Sequence, residues 1–185
     1  MPKENTTVYI ILGLLNHEDL SGYDIKKRID NHISYFWEVG YGQIYPTLAK
    51  LEADGFVTRR ISEVSGGPEK NLYSITGEGR NALKNWVIVS EQKEYTKYEI
   101  LLKLFFGKLA TLDDNIHRIE AFKDRQLEKL KMMKMYKENL GEVLEEDDDH
   151  IFYYLTVMFG EKIYKAYVEW ADEAVGLLES KFSNK

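Results

Sequence analysis

GYGQIYPTLAKLEADGFV, residues 40–57, decides how this 185-residue chain is read. Ile44, Leu48 and Leu51 recur at i, i+4 and i+7, which puts them on one face of a helix. Gln43, Thr47, Lys50 and Asp54 recur at i, i+4, i+7 and i+11 on another face. That second face carries an amide, a hydroxyl and an ammonium, with Tyr45 near its start. Such groups reach base edges and phosphates. Gly42 can cap the helix, which places Pro46 in the first turn, where a missing N–H costs nothing. Gly55 ends it, as a left-handed C-terminal glycine does. A short helix that is apolar on one side and polar on the other is what a major groove accepts.

The flanking segments complete a pattern. Thr6 or Thr7 caps a first helix running to about Asn16, with Val8, Ile11, Leu12 and Leu15 as its stripe. Glu18, Asp19 and Leu20 form a connector. Ser21 caps a second helix, and Asp24 three residues later completes a capping box. Ile25, Ile29 and Ile33 line it. After Gly55, Phe56–Val64 reads as a strand, Ser65–Pro68 as a turn and Leu72–Thr76 as the returning strand. Three helices followed by a two-stranded hairpin make a winged helix-turn-helix. A fourth helix follows from Thr76 or Gly77, with Leu83, Trp86 and Val87 expected to be buried.

Beyond residue 90 the pattern is helical only. Tyr98–Phe106 reads as a short helix, Leu112 to about Leu144 as a long one, and Glu145–Asp149 as an acidic break. Ile151 to about Phe182 is the last helix. Phe152, Leu155, Phe159, Ile163, Ala166, Trp170 and Leu177 form one stripe on it. Tyr154, Met158, Tyr164, Tyr167, Val168, Ala171, Val175 and Leu178 widen the apolar surface. A helix apolar on more than one side must be covered on more than one side, and one antiparallel partner covers a single stripe. A second subunit is the simplest source of the rest. The expected architecture is therefore mainly α, with a winged helix-turn-helix DNA-binding domain over residues 1–90 and a helical dimerisation domain over residues 91–185.

Composition narrows the function classes. Hydrophobic residues make up 44% of the chain, enough for a core, and there is no Cys, so disulfides, thiolate metal sites and cysteine nucleophiles are excluded. The apolar run Val8–Leu15 is too short to span a bilayer and lacks a signal pattern, so it reads as a core helix of a cytoplasmic protein with no membrane role. The net charge of −6 argues against nucleic acid at first sight, but residues 1–90 hold 10 Lys and Arg against 11 Asp and Glu, and residues 91–185 hold 15 against 20. Local cations, not the total, govern nucleic-acid affinity. His17, His32, His117 and His150 are scattered with no i, i+4 pair, and the acidic run lacks the glycine and ligand spacing of a cation loop, so no metal or cofactor is expected. No phosphate loop, nucleophile elbow or nucleophile–base pair appears, so no enzyme is expected.

Residues 8–90 resemble the PadR family of bacterial transcriptional regulators. The resemblance is carried by ILGLL (11–15), SGYDI (21–25), GQIYPTLAKLEADGFV (42–57), GGPEKNLYSIT (66–76) and GEGRNAL (77–83). The long helical half resembles the larger subfamily. The resemblance implies a homodimeric DNA-binding repressor whose recognition helix carries Gln43, Tyr45, Pro46, Thr47 and Lys50 and whose wing carries Lys70. Tyr23 and Tyr73 match tyrosines of the family pattern. The wing departs from it: Glu69-Lys70-Asn71-Leu72-Tyr73 lacks one of two adjacent cations and one of two aromatics, which predicts a weaker wing contact.

Gln43 and Thr47 are the candidates for base contact, since the first turn of a recognition helix lies deepest in the groove. Lys50 and Lys70 are phosphate candidates. Tyr45 and Tyr23 are read either as phosphate contacts or as packing. Lys26, Lys27 and Arg28 either flank the duplex or solubilise the surface. Trp86 and Trp170 are candidates for a pocket holding a small aromatic or hydrophobic effector, against plain core packing. Two other functions compete with a dimeric repressor on double-stranded DNA: a winged-helix protein-interaction module, and a small-ligand-binding helical protein without DNA activity.

Overall fold

The computed structural model describes residues 5–62, 70–90 and 97–182, and its chain divides into two compact units, Met1–Lys93 and Glu94–Lys185. In the first unit α1 (Thr7–Leu15) is followed by a two-residue strand β1 (Leu20–Ser21), α2 (Gly22–Arg28) with a π-helical turn over Ile29–Ile33, and α3 (Tyr41–Ala53). Strands β2 (Val57–Ser62) and β3 (Lys70–Ile75) form the wing, and α4 (Gly77–Val87) closes the unit. The sheet has the antiparallel order β1-β3-β2, with Leu20 opposite Tyr73 and Val57 opposite Ile75. The expected connector at Leu20 is thus a third strand. It brings the start of α2 against the wing.

The core is where the periodicity places it. Ile11, Leu12, Ile25, Ile29, Ile44, Leu48 and Leu51 are fully buried, each burial contributing about 1.5–3 kcal/mol before entropy is counted. The Ser21–Asp24 capping box is present: Asp24 N–H donates to Ser21 Oγ at 3.2 Å, and Ser21 Oγ donates to the carboxylate at 2.5 Å. Gly55 has φ 75°, with Phe56 N–H bonded to Leu51 O and Gly55 N–H to Glu52 O, a Schellman ending. Thr76 caps α4 through Gly79 N–H and donates to Gly55 O at 2.8 Å, which ties the end of α3 to the start of α4.

Three local expectations need correction. Asn5, not a threonine hydroxyl, meets the start of α1, accepting from Thr7 N–H at 3.3 Å. The N-cap of α3 is Gly40 rather than Gly42, so Pro46 lies in the second turn, where it leaves Gly42 O without its usual helical donor. Trp86 and Val87 are exposed rather than buried, and only Leu83 of that trio packs partly against the core. The expected turn at Ser65–Pro68 lies outside the described residues.

The second unit holds α5 (Glu99–Phe105), a 3-10 turn (Gly107–Leu109), α6 (Leu112–Glu142) and α7 (His150–Phe182). Thr111 and Asp114 form a capping box at the start of α6. The long helices are antiparallel, as the ion pairs Lys137–Glu161 (2.6 Å) and Lys123–Asp172 require. Ile119, Phe122, Leu130 and Met133 of α6 face Tyr164 and Ala171 of α7, and Gly160 lets Met133 Sδ come close to its backbone. Most of the Phe152–Leu177 stripe points away from α6: Phe159 is 65% and Leu177 72% exposed. Among the described residues no helix is long and apolar enough to cross a membrane, and no group of His, Asp and Glu could hold a metal ion.

Candidate nucleic-acid interface

α3 is held by its apolar face. Ile44, Leu48 and Leu51 sit in the core, while Tyr41, Gln43, Tyr45, Pro46 and Lys50 stand on the exposed side. α2 crosses close to it because Gly22 has no side chain: a Cβ there would lie 2.6 Å from Tyr45 Cε1. The Tyr45 ring therefore rests on the first turn of α2 yet remains 53% exposed, so packing and outward presentation are combined in one residue. Tyr23, the next residue on α2, is exposed beside it in sequence.

Thr47 is a correction. It is only 5% exposed and its hydroxyl donates to Gln43 O at 2.6 Å, a bond internal to the helix. Its position takes it off the outward face. Tyr73 is a second correction. It is 7% exposed, sits in the core cluster opposite Leu20, and burial raises its phenol pKa above the usual value. It packs the wing rather than facing outward.

The basic residues separate into engaged and available ones. Lys26 is nearly buried; it pairs with Asp30 and lies 5.0 Å from the Tyr41 ring centroid, bracing the start of α3 instead of flanking a duplex. Arg28 pairs with Glu18. Arg59 and Arg60 of β2, which sequence reasoning passed over, pair with Glu52 at 3.1 Å and Asp19 at 3.0 Å. Asp19 is held below the ordinary carboxylate range by the Ser74 hydroxyl and then by Arg60. Among the described residues Lys27, Lys50 and Lys70 are exposed and in no ion pair. The Ser21 hydroxyl, and to a lesser extent Lys70 and Lys27, hold the Asp24 carboxyl below its usual range; the pairing of Ser21 with Leu72 brings the start of β3 near the start of α2. Glu69 and the wing turn lie outside the described residues.

Tyr41 was also missed, although it stands one turn before Tyr45 at i, i+4 on the same exposed face. The two candidate tryptophans, Trp86 and Trp170, lie in separate units. Trp86 stacks on Tyr9 (centroids 4.7 Å, 8° between planes), and Trp170 meets Phe122 edge-on at 5.7 Å. Phe122 also meets Tyr167, whose hydroxyl bonds to that of Tyr98. Burial and that phenol neighbour raise the Tyr167 pKa.

Comparison with known proteins assigns both units. Residues 11–85 match the transcriptional regulator PadR-like family, and residues 96–179 match the virulence activator alpha C-terminal family. The negative transcriptional regulator PadR of Bacillus subtilis is 29% identical over 178 residues, covering 92% of this chain and 96% of its own. The crystal structure of B. subtilis PadR in complex with operator DNA superposes with a TM-score of 0.83 at 28% identity, over 94% of this chain and 99% of that one. The same protein in complex with p-coumaric acid gives a TM-score of 0.77 at 27% identity, over 95% and 99%.

Proposed function

The chain belongs to the PadR family of transcriptional regulators, and we propose that it is a DNA-binding repressor, working as a homodimer on an inverted-repeat operator in the cytoplasm. The observation that carries this reading is α3: a helix anchored in the core by Ile44, Leu48 and Leu51 with Gln43, Tyr45, Pro46 and Lys50 turned outward. Gln43 meets base edges, Lys50 meets a phosphate, and Tyr45 and Tyr23 donate phenol hydroxyls to the backbone. Lys70, joined by Lys27, adds a phosphate contact from the wing side. The 1–90 segment is the DNA-binding domain and the 91–185 segment the dimerisation domain, with the exposed stripe of α7 buried between protomers. Two-fold symmetry then sets half-sites about one helical turn apart.

B. subtilis PadR is known in complex with p-coumaric acid, which supports a small aromatic effector for this chain as well. Within the second unit the candidate lining is Trp170, edge-on to Phe122. Such an effector releases DNA by binding one arrangement of the dimer better than the other. The reading contains no catalytic step.

A gel shift with the chain's own upstream region, run across a salt series, tests the proposal. A sequence-preferring shift with a steep negative salt slope is expected. No shift at low salt, with Gln43→Ala and Lys50→Ala indistinguishable from the parent, overturns it.

A further inference from the structure

Gln43 is exposed at the third position of α3, yet half of its amide is already engaged. The N–H of Gly40 donates to Gln43 Oε1 at 3.2 Å, and Gln43 N–H donates back to Gly40 O at 3.0 Å. An N–H can be met only by an acceptor, so the oxygen of the Gln43 amide is the atom turned to the helix end and its NH2 is turned away. Gly40 carries no side chain that could return the cap, so the glutamine itself closes the start of α3. Burial of Thr47 removes the other small polar side chain of that face, which leaves Gln43 as its only amide or aliphatic hydroxyl near the helix start.

We propose that Gln43 reads DNA as a hydrogen-bond donor only. A free glutamine recognises adenine with both ends of its amide, accepting from N6 and donating to N7. With Oε1 held by Gly40, Nε2 alone meets the groove. It takes an acceptor, namely a purine N7, guanine O6 or thymine O4, and it refuses the amino group of cytosine. The inference rests on the reading of α3 as the recognition helix, and it adds the polarity of one contact to that reading.

Base analogues separate the two. Footprinting on the chain's own upstream region locates the bound duplex. Full-length parent, Gln43→Glu and Gln43→Ala are then titrated onto that duplex carrying, one position at a time, 7-deazapurines (no N7), unsubstituted purine in place of adenine (no N6 amino group), 2-aminopurine in place of guanine (no O6) or a thymine analogue lacking O4. Gln43→Glu keeps an oxygen for Gly40, so its thermal midpoint stays near the parent's, but it offers no donor. The cycle cancels any uniform loss from the new charge. The expected result is one acceptor-deleting analogue that weakens the parent about three- to tenfold and adds nothing in either variant, with no coupling between residue 43 and the adenine amino group. Coupling to that amino group, or no coupling to any acceptor, overturns the proposal while DNA binding stands. Absence of a footprint fails the DNA-binding reading itself and this inference with it.

Discussion

α3 and α7 are both amphipathic helices with one face in a core, and they differ in what the other face offers. α3 turns out an amide, phenols, a proline and a single ammonium. α7 turns out Phe152, Leu155, Phe159 and Leu177. A polar face gains nothing from being dry, so it can wait in water for a hydrated, charged partner. An apolar face of that length stands exposed only until a like face covers it. On the proposed reading the contrast divides the work: α7 supplies the second copy, and α3 supplies a contact with little charge of its own. With one cation on each α3, that reading relies on the dimer, because two half-sites bound together gain by effective concentration what neither has in charge.

The most severe way to break this division is Phe159→Glu. It places a carboxylate in the middle of the proposed protomer interface, where burying an unpaired charge costs several kcal/mol. Sedimentation is expected to give a monomer at micromolar concentration, and operator affinity is expected to fall by roughly a hundredfold or more. A variant that stays dimeric would show that α7 is covered by something else.

The next test compares two glycines that permit close approach, one in each unit. Gly22→Ala pushes a methyl to 2.6 Å from the Tyr45 ring, and Gly160→Ala pushes one to 2.8 Å from Met133 Sδ. The ring is rigid and belongs to the outward face, so Gly22→Ala should cost about 1–3 kcal/mol and should weaken operator binding. The thioether tip can swing aside, and alanine favours the helix, so Gly160→Ala should stay within about 1 kcal/mol of the parent. Melting curves and gel shifts on both variants read the difference. Equal effects on DNA binding would remove Tyr45 from the interface.

Lys50→Ala sharpens the electrostatic side. It should lower the slope of log affinity against log salt by about 2 per dimer, one phosphate from each half-site, with little change in sequence preference. An unchanged slope would mean that Lys50 is an ordinary solvated lysine.

Much of this was legible in the residues. The Ile44–Leu48–Leu51 row, the Ser21–Asp24 box and the left-handed Gly55 are local signals, and the structure has all three. Thr47 shows the limit of row-reading. At about 100° per residue it falls only about 40° from Leu51 on the helix circumference, inside the apolar arc, although it also stands at i+4 from Gln43. Tyr73 shows the same limit: alternation with Ile75 points it inward, whereas a match to the family pattern says nothing of which way it faces. The ion pairs of Arg59 and Arg60 join residues on different elements, so nothing in the local sequence announces that those cations are engaged. The third strand was hidden for a related reason, since two residues are too few to show a period.

The smallest effect separates two copies of one device. Ser21–Asp24 starts α2 and Thr111–Asp114 starts α6, and in each the hydroxyl first, then the backbone N–H, holds the carboxyl below its usual range. A carboxyl depressed in the folded state contributes stability above its unfolded pKa, near 3.8, and that contribution is lost as pH falls through the lower folded value. Asp24→Asn and Asp114→Asn should therefore melt slightly below the parent at neutral pH, and their curves should converge on the parent's as pH drops below about 4. Only Asp24 has Lys27 and Lys70 acting on it. Removing its charge takes away a nearby anion whose field opposes a phosphate at both ammoniums, so Asp24→Asn should bind the operator a few-fold more tightly at low salt, a gain on the order of 1 kcal/mol or less, while Asp114→Asn leaves affinity unchanged. Stability falling while affinity rises is a signature that packing alone cannot produce, and it would place the start of α2 and the first residue of the wing against the same stretch of backbone.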